Sequence, residues 1–127
     1  MNPTEAAYAQ KLDLMRKAGV IRSWEFEQRP IQLEDTAHVK RPITFTPDFY
    51  VVTADGAGEY HEVKGGHMKE DAWIKLRWFC ERFSRTPVVL AQLVKGKWYI
   101  EDPRQRGRLK KRTPTIRTGK GKEARNA

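Results

Sequence analysis

Residues 47–66 read PDFYVVTADGAGEYHEVKGG. Two extended runs, DFYVV and YHEVKGG, flank TADGAGE, whose Gly, Ala and Asp residues suit a tight turn, so the stretch predicts a β-hairpin. Side chains two apart in a strand share a face, so Glu62 and Lys64 point together while Val63 points oppositely, into apolar packing. A turn centred on Asp55 sets Asp48 opposite Glu62. Directly opposed residues have Cβ atoms about 4.5–5.5 Å apart. Two carboxylates that close repel each other unless something cationic lies between them. Mg²⁺ takes carboxylate oxygens at about 2.0–2.1 Å, which makes the pair a candidate site for Mg²⁺ or Mn²⁺, with Lys64 as a fixed positive charge beside it. The geometry depends on register, because a slip of one residue turns Asp48 to the other face. The plain alternative is an exposed cross-strand charge cluster.

Outward from the hairpin, the pattern alternates between helix and strand. Residues 2–18 predict a helix, with Asn2 as N-cap and Pro3 at the first helical position. Tyr8, Ala9, Leu12 and Met15 make its apolar stripe, and Gly19 ends it. Glu5 lies on the core-facing side of that helix and has two readings. It is a third acid for the cluster, or it completes a capping box with Asn2. Val20 to Gln28 alternates as a half-buried strand with Trp24, Phe26 and Gln28 on its inner side, so Gln28 is either a further polar neighbour for the acids or a satisfied polar group at a strand end. Residues 31–42 hold no clear period, and Glu34-Asp35-Thr36 suits a turn or loop. The chain is extended again from Ile43. Residues 69–83 predict a second helix with Ala72, Leu76, Phe79, Cys80 and Phe83 at helical spacing. Pro87 to Val94 and Lys97 to Asp102 predict two further strands around the Lys95-Gly96 turn. The expected fold is α/β in the mixed α+β sense, a small mixed central sheet flanked by helices.

The charge is unevenly placed. The chain has 127 residues and a net charge of +9, from 25 Lys and Arg against 16 Asp and Glu. Residues 103–127 hold ten of those cations and one acid, Glu123, so the excess of nine belongs to them and residues 1–102 are neutral. We expect a folded domain over 1–102 and a basic tail over 103–127 that stays disordered until it meets a polyanion. A solvated solubility tail is the alternative. Arg104, Arg106, Arg108, Lys110, Lys111 and Arg112 are its candidate phosphate contacts. No run of about 18 apolar residues predicts a membrane helix. MNPTEAAYAQ lacks the features of a signal peptide, and Cys80 is the single cysteine, so a cytoplasmic setting is expected. No G-x-x-x-x-G-K-[ST] is present, so no nucleotide cofactor is expected.

Pro47-Asp48, thirteen residues, then Glu62-Val63-Lys64-Gly65 resembles the signature of the PD-(D/E)xK nucleases. The upstream helix with its glutamate, the hairpin and the following helix extend the likeness over about residues 2–102. TPDFYVV and YHEVKGG are most similar to small phage endonucleases of the endonuclease I and Holliday junction resolvase type. The resemblance implies a restriction-endonuclease-like core and a metal-dependent endonuclease acting on DNA, branched DNA in the resolvase case. It implies that Asp48 and Glu62 bind the metal, helped by the Val63 backbone carbonyl, and that Lys64 orients water or stabilises charge. Glu5 matches the family's helix glutamate, and Lys75 resembles a basic position near the site, although a solvated lysine reads equally well. A junction cut on two strands needs two sites, so a homodimer is expected under this reading. A non-catalytic nucleic-acid-binding accessory protein is the competing function.

The remaining chemistry-bearing residues read more plainly. His38, His61 and His67 have no zinc-type spacing, and His61 points away from Glu62 by alternation. His67 follows Gly65-Gly66 and is either a phosphate contact or a surface loop residue. Cys80, on the inner side of the second helix, reads as a small hydrophobe.

Overall fold

The computed structural model describes residues 1–33 and 43–105. Along the chain run α1 (Pro3–Lys17), β1 (Ile21–Phe26), β2 (Ile31–Gln32), β3 (Thr44–Phe45), β4 (Phe49–Thr53), β5 (Gly58–Gly65), α2 (Glu70–Arg82), β6 (Val88–Val94), β7 (Lys97–Glu101) and a 3-10 turn, Pro103–Gln105. Five strands form a mixed sheet in the order β1-β4-β5-β6-β7, and β2 pairs with β3 in a separate two-stranded sheet. β5 and β6 are parallel, which requires a crossover, and α2 supplies it. The fold is the mixed α+β class expected, with no described helix long and apolar enough to cross a membrane.

Each face of the sheet carries one helix. The Asn2 side chain accepts the Glu5 N–H at 2.8 Å, and Glu5 Oε1 accepts the Asn2 N–H at 2.8 Å, a complete capping box. Gly19, at φ +79°, ends α1 in the left-handed region that a residue without Cβ enters at no steric cost. Tyr8, Leu12 and Met15 pack with Phe49, Val51, Val63 and Ala91 on one face. Leu76, Phe79 and Cys80 of α2 pack with Phe45, Met68, Val88 and Leu90 on the other. Odd-numbered positions of β4 and β5 therefore face α1, and Tyr60, an even one, packs on the α2 side.

The hairpin has the expected register, with Phe49 opposite His61, Tyr50 opposite Tyr60 and Val52 opposite Gly58. Its turn is closed by Thr53 N–H to Ala57 O at 2.8 Å and by the Thr53 hydroxyl donating to Asp55. Lys95 and Gly96 both have positive φ, +50° and +78°, the two-residue turn whose twist matches antiparallel strands.

Four expectations change. The extended run from Ile43 is two pieces, because β3 pairs with β2 outside the main sheet and Thr46-Pro47-Asp48 separates it from β4. Proline has no N–H to give a ladder there. Gln28 is exposed, not inward: β1 stops at Phe26, and Glu27 at φ +46° ends the alternation. The folded body passes the expected boundary at Asp102, since Pro103 is buried. Arg104 is a clasp on the body and not a free tail residue. Its Nη2 donates to the carbonyls of Cys80, Phe83 and Thr86 at 3.0, 2.9 and 3.0 Å, tying the last turn of α2 to the loop that follows it. The turn expected at Glu34-Asp35-Thr36, and Arg106, Arg108, Lys110, Lys111 and Arg112, lie outside the described residues.

Candidate active site

Asp48 precedes β4 by one residue, and Glu62 lies three residues before the end of β5. They are 8% and 6% exposed, so the charge cluster is buried and not a surface feature. The Asp48 N–H donates to Glu62 Oε1 at 3.2 Å, and the Val63 N–H donates to Asp48 Oδ2 at 2.7 Å. Lys64 Nζ stands 3.5 Å from Glu62 Oε2, with its side chain one third exposed. The hairpin thus brings together three expected side chains, two acids and a lysine that solvent still reaches. The Val63 group that touches the pair is its N–H, which orients Asp48.

Burial pushes both carboxyls up. Asp48 is raised to about 6 by loss of solvent and by the negative charge of Glu5, against the opposing Val63 N–H. Glu62 is raised to about 8 by burial first and by the charge of Asp48 second, with Lys64 opposing. Two like charges in a dry site cost several kcal/mol unless compensated. Without a metal, the pair holds about one proton at neutral pH, on the more deeply buried Glu62. Carboxylate oxygens held together and undercompensated by one lysine are the hard donor set that Mg²⁺ or Mn²⁺ accepts.

Glu5 is half-buried and spends Oε1 on its cap, although its charge is felt at Asp48. Among the described residues no three His, Cys, Asp or Glu side chains are grouped to hold an ion, so the acids form a pair and not a triad. A Cβ at Gly65 would fall 2.7 Å from Thr4 Oγ1, so glycine at the end of β5 lets the first turn of α1 lie close. Lys75 and His67 are exposed, on α2 and in the loop before it, and neither bonds to the pair.

Two features went unread in the sequence. His61 is 1% exposed and points away from Glu62 as expected, but it is not idle. Its Nδ1 pairs with the Tyr8 hydroxyl at 2.6 Å and its Nε2 with Glu59 Oε1 at 2.7 Å, linking α1 to the strand that carries Glu62. The available signal was two polar side chains, 59 and 61, on the inward parity of β5. Gln92 is 2% exposed, stands beside Lys64 in the parallel ladder, and donates Nε2 to Gly66 O at 3.1 Å. A lone amide within VVLAQLV was its signal. It pins the turn that follows Lys64.

Among solved structures, the chain is similar to the Holliday junction resolvase Hjc of the archaeal hyperthermophile Archaeoglobus fulgidus. The TM-score is 0.47 at 17% identity, over 83% of this chain and 82% of that one. No family of known proteins and no curated protein matches the sequence.

Proposed function

We propose that the chain is a metal-dependent endodeoxyribonuclease of the PD-(D/E)xK kind, hydrolysing phosphodiester bonds in branched DNA in the manner of a Holliday junction resolvase. The observation that carries this reading is the buried Asp48–Glu62 pair with Lys64 3.5 Å from Glu62. Asp48 and Glu62 would hold Mg²⁺ or Mn²⁺, with the Val63 carbonyl as a further ligand and Glu5 contributing its charge from α1. The bound ion would supply Lewis acidity and a water of lowered pKa. Lys64 keeps a positive charge at the mouth of the site, where charge builds on the phosphate oxygens, and its partial burial strengthens that interaction relative to open water. The Val63 N–H and Gln92 hold Asp48 and the 65–66 turn in place. Lys75, His67 and the basic residues from Arg106 onward would add phosphate contacts without reading sequence.

The test is incubation of four-way, nicked and linear DNA with the protein in Mg²⁺, Mn²⁺ or EDTA. Metal-dependent products from the four-way junction, absent with Asp48→Asn and Glu62→Gln, are expected. Binding without cleavage in any metal would instead make this an accessory nucleic-acid-binding protein, and products from linear DNA alone would reassign the substrate.

A further inference from the structure

Trp73, Ile74, Arg77, Trp78 and Glu81 line a groove of about 360 Å³, and all five belong to α2. Steps of three and four residues put them on one face of the helix, and Glu70, four residues before Ile74, extends the same stripe. The stripe thus begins and ends with an exposed acid, Glu70 and Glu81, about 16 Å apart along the axis. Between them Ile74 is 57% exposed. The Arg77 guanidinium lies 5.7 Å from the Trp73 ring, and Arg77 Nε is buried with no hydrogen-bond partner among the described residues. These groups describe their occupant: an apolar side chain for Ile74, a carbonyl oxygen for Arg77 and cations for the two acids.

We propose that the occupant is the chain's own basic segment, residues 106–112, laid back along α2 from the C-terminal end of that helix. The segment reads RGRLKKR, five cations and no acid around Leu109, and Leu109 and Ile116 are the only large apolar side chains after Gln105. Its starting point is fixed, because Arg104 donates to the carbonyls of Cys80 and Phe83 at the last turn of α2. An extended chain advances ~3.3 Å per residue, so Leu109, four residues past Gln105, reaches ~13 Å. Ile74 lies ~10 Å back along the axis from Glu81. Arg112 comes at ~23 Å, far enough for Glu70. The segment's backbone offers Arg77 Nε its acceptor. Charge selects this occupant over DNA, whose phosphates would meet Glu70, Asp71 and Glu81. Size selects a tethered partner over a free one. A 13-residue helix is ~20 Å long, so the strip falls short of the ~800 Å² per partner of stable complexes. A short tether instead supplies an effective concentration in the millimolar range. Docking of that strength holds the segment on the body without adding appreciably to the stability of the fold. The proposal goes beyond the nuclease reading and does not depend on it.

A nitroxide on Lys110→Cys in the full chain tests it by NMR, since Cys80, the native thiol, is buried. The four tryptophans give four indole N–H signals. Those of Trp73 and Trp78 should broaden, while those of Trp24 and Trp98, packed on the α1 side of the sheet, should stay sharp. Ile74→Asp, at an exposed position, should restore both broadened signals, and Leu109→Asp in the unlabelled chain should shift the same two. Broadening of all four signals alike, or of none, would overturn the proposal. So would broadening of a nitroxide-free, isotope-labelled chain by a spin-labelled one, which would make the contact intermolecular. Broadening seen only after duplex DNA is added would give the groove to nucleic acid and overturn it too. Cleavage plays no part in the readout, so this proposal and the nuclease reading fail separately.

Discussion

At the scale of single residues, the metal-free protein should carry its own pH signature. Asp48 and Glu62 are both raised above the ordinary carboxylate range by burial, to about 6 and about 8. A carboxyl with a raised folded-state pKa keeps its proton longer in the folded chain than in the unfolded one. Stability therefore falls as pH rises from about 4 to about 8, since the folded state binds more protons over that window. In EDTA the melting temperature should be higher at pH 5 than at pH 8, with other groups adding their own slopes. Asp48→Asn should flatten this part of the profile and stabilise the metal-free protein at pH 8 by on the order of 2 kcal/mol, because the amide can donate to Glu62 while removing the repulsion. If the variant melts lower at pH 8 and its profile keeps the wild-type slope, the pair is not the strained element described. Mn²⁺ should raise the wild-type melting point most at pH 8 and leave Asp48→Asn nearly unmoved, and an ion at a hundredfold its Kd contributes about 2.7 kcal/mol.

Glu5 can be separated into its two roles at the same scale. Glutamine also fits a capping box, so Glu5→Gln should keep the α1 cap and change stability by less than about 0.5 kcal/mol. A loss of cleavage in that variant, with the melting curve unchanged, would assign Glu5 to the chemistry. Normal cleavage would leave it a cap alone. Lys64→Ala should abolish cleavage while DNA affinity, measured by anisotropy, stays within a few-fold.

Elements show why part of this was readable. The β4–β5 hairpin was legible because period-two alternation and an Asp-Gly turn act locally, and they set the register that brings Asp48 to Glu62. The same local logic read both helices and the Lys95-Gly96 turn. β2 and β3 were not legible, since two residues carry no period and their pairing joins segments far apart in sequence. Gln28 misled because alternation was extended past Glu27, whose positive φ nothing in its residue type announces. His61 was seen as turned from the site but not as a buried partner, because Tyr8 meets it only when α1 docks on the sheet. That docking has a measurable cost of disruption. Tyr8→Phe leaves the buried His61 Nδ1 without its 2.6 Å partner, which should destabilise the protein by about 1–3 kcal/mol in chemical denaturation. A change below 0.5 kcal/mol would mean that the pair contributes nothing net.

At the scale of the whole molecule, charge and fold divide at a different residue than composition suggests. The cationic excess begins at Arg104, yet Arg104 binds three carbonyls at the end of α2 and its side chain is one quarter exposed. One cation therefore serves the body, and the proposed nucleic-acid role would fall to residues from Arg106 onward. Two truncations separate these parts. A chain ending at Gln105 keeps the clasp and should melt with the full-length transition. Its DNA affinity should drop and its salt dependence flatten, by about 0.9 in log–log slope for each phosphate contact removed. A chain ending at Asp102 also loses the Arg104 bonds and the buried Pro103, so it should be less stable than the first by about 2–4 kcal/mol, consistent with charge-assisted hydrogen bonds left unmade at a helix end. Equal stability of the two truncations would show that the clasp holds nothing. Equal affinity of the full chain and the chain ending at Gln105, at low and high salt alike, would show that the basic residues beyond it do not touch DNA.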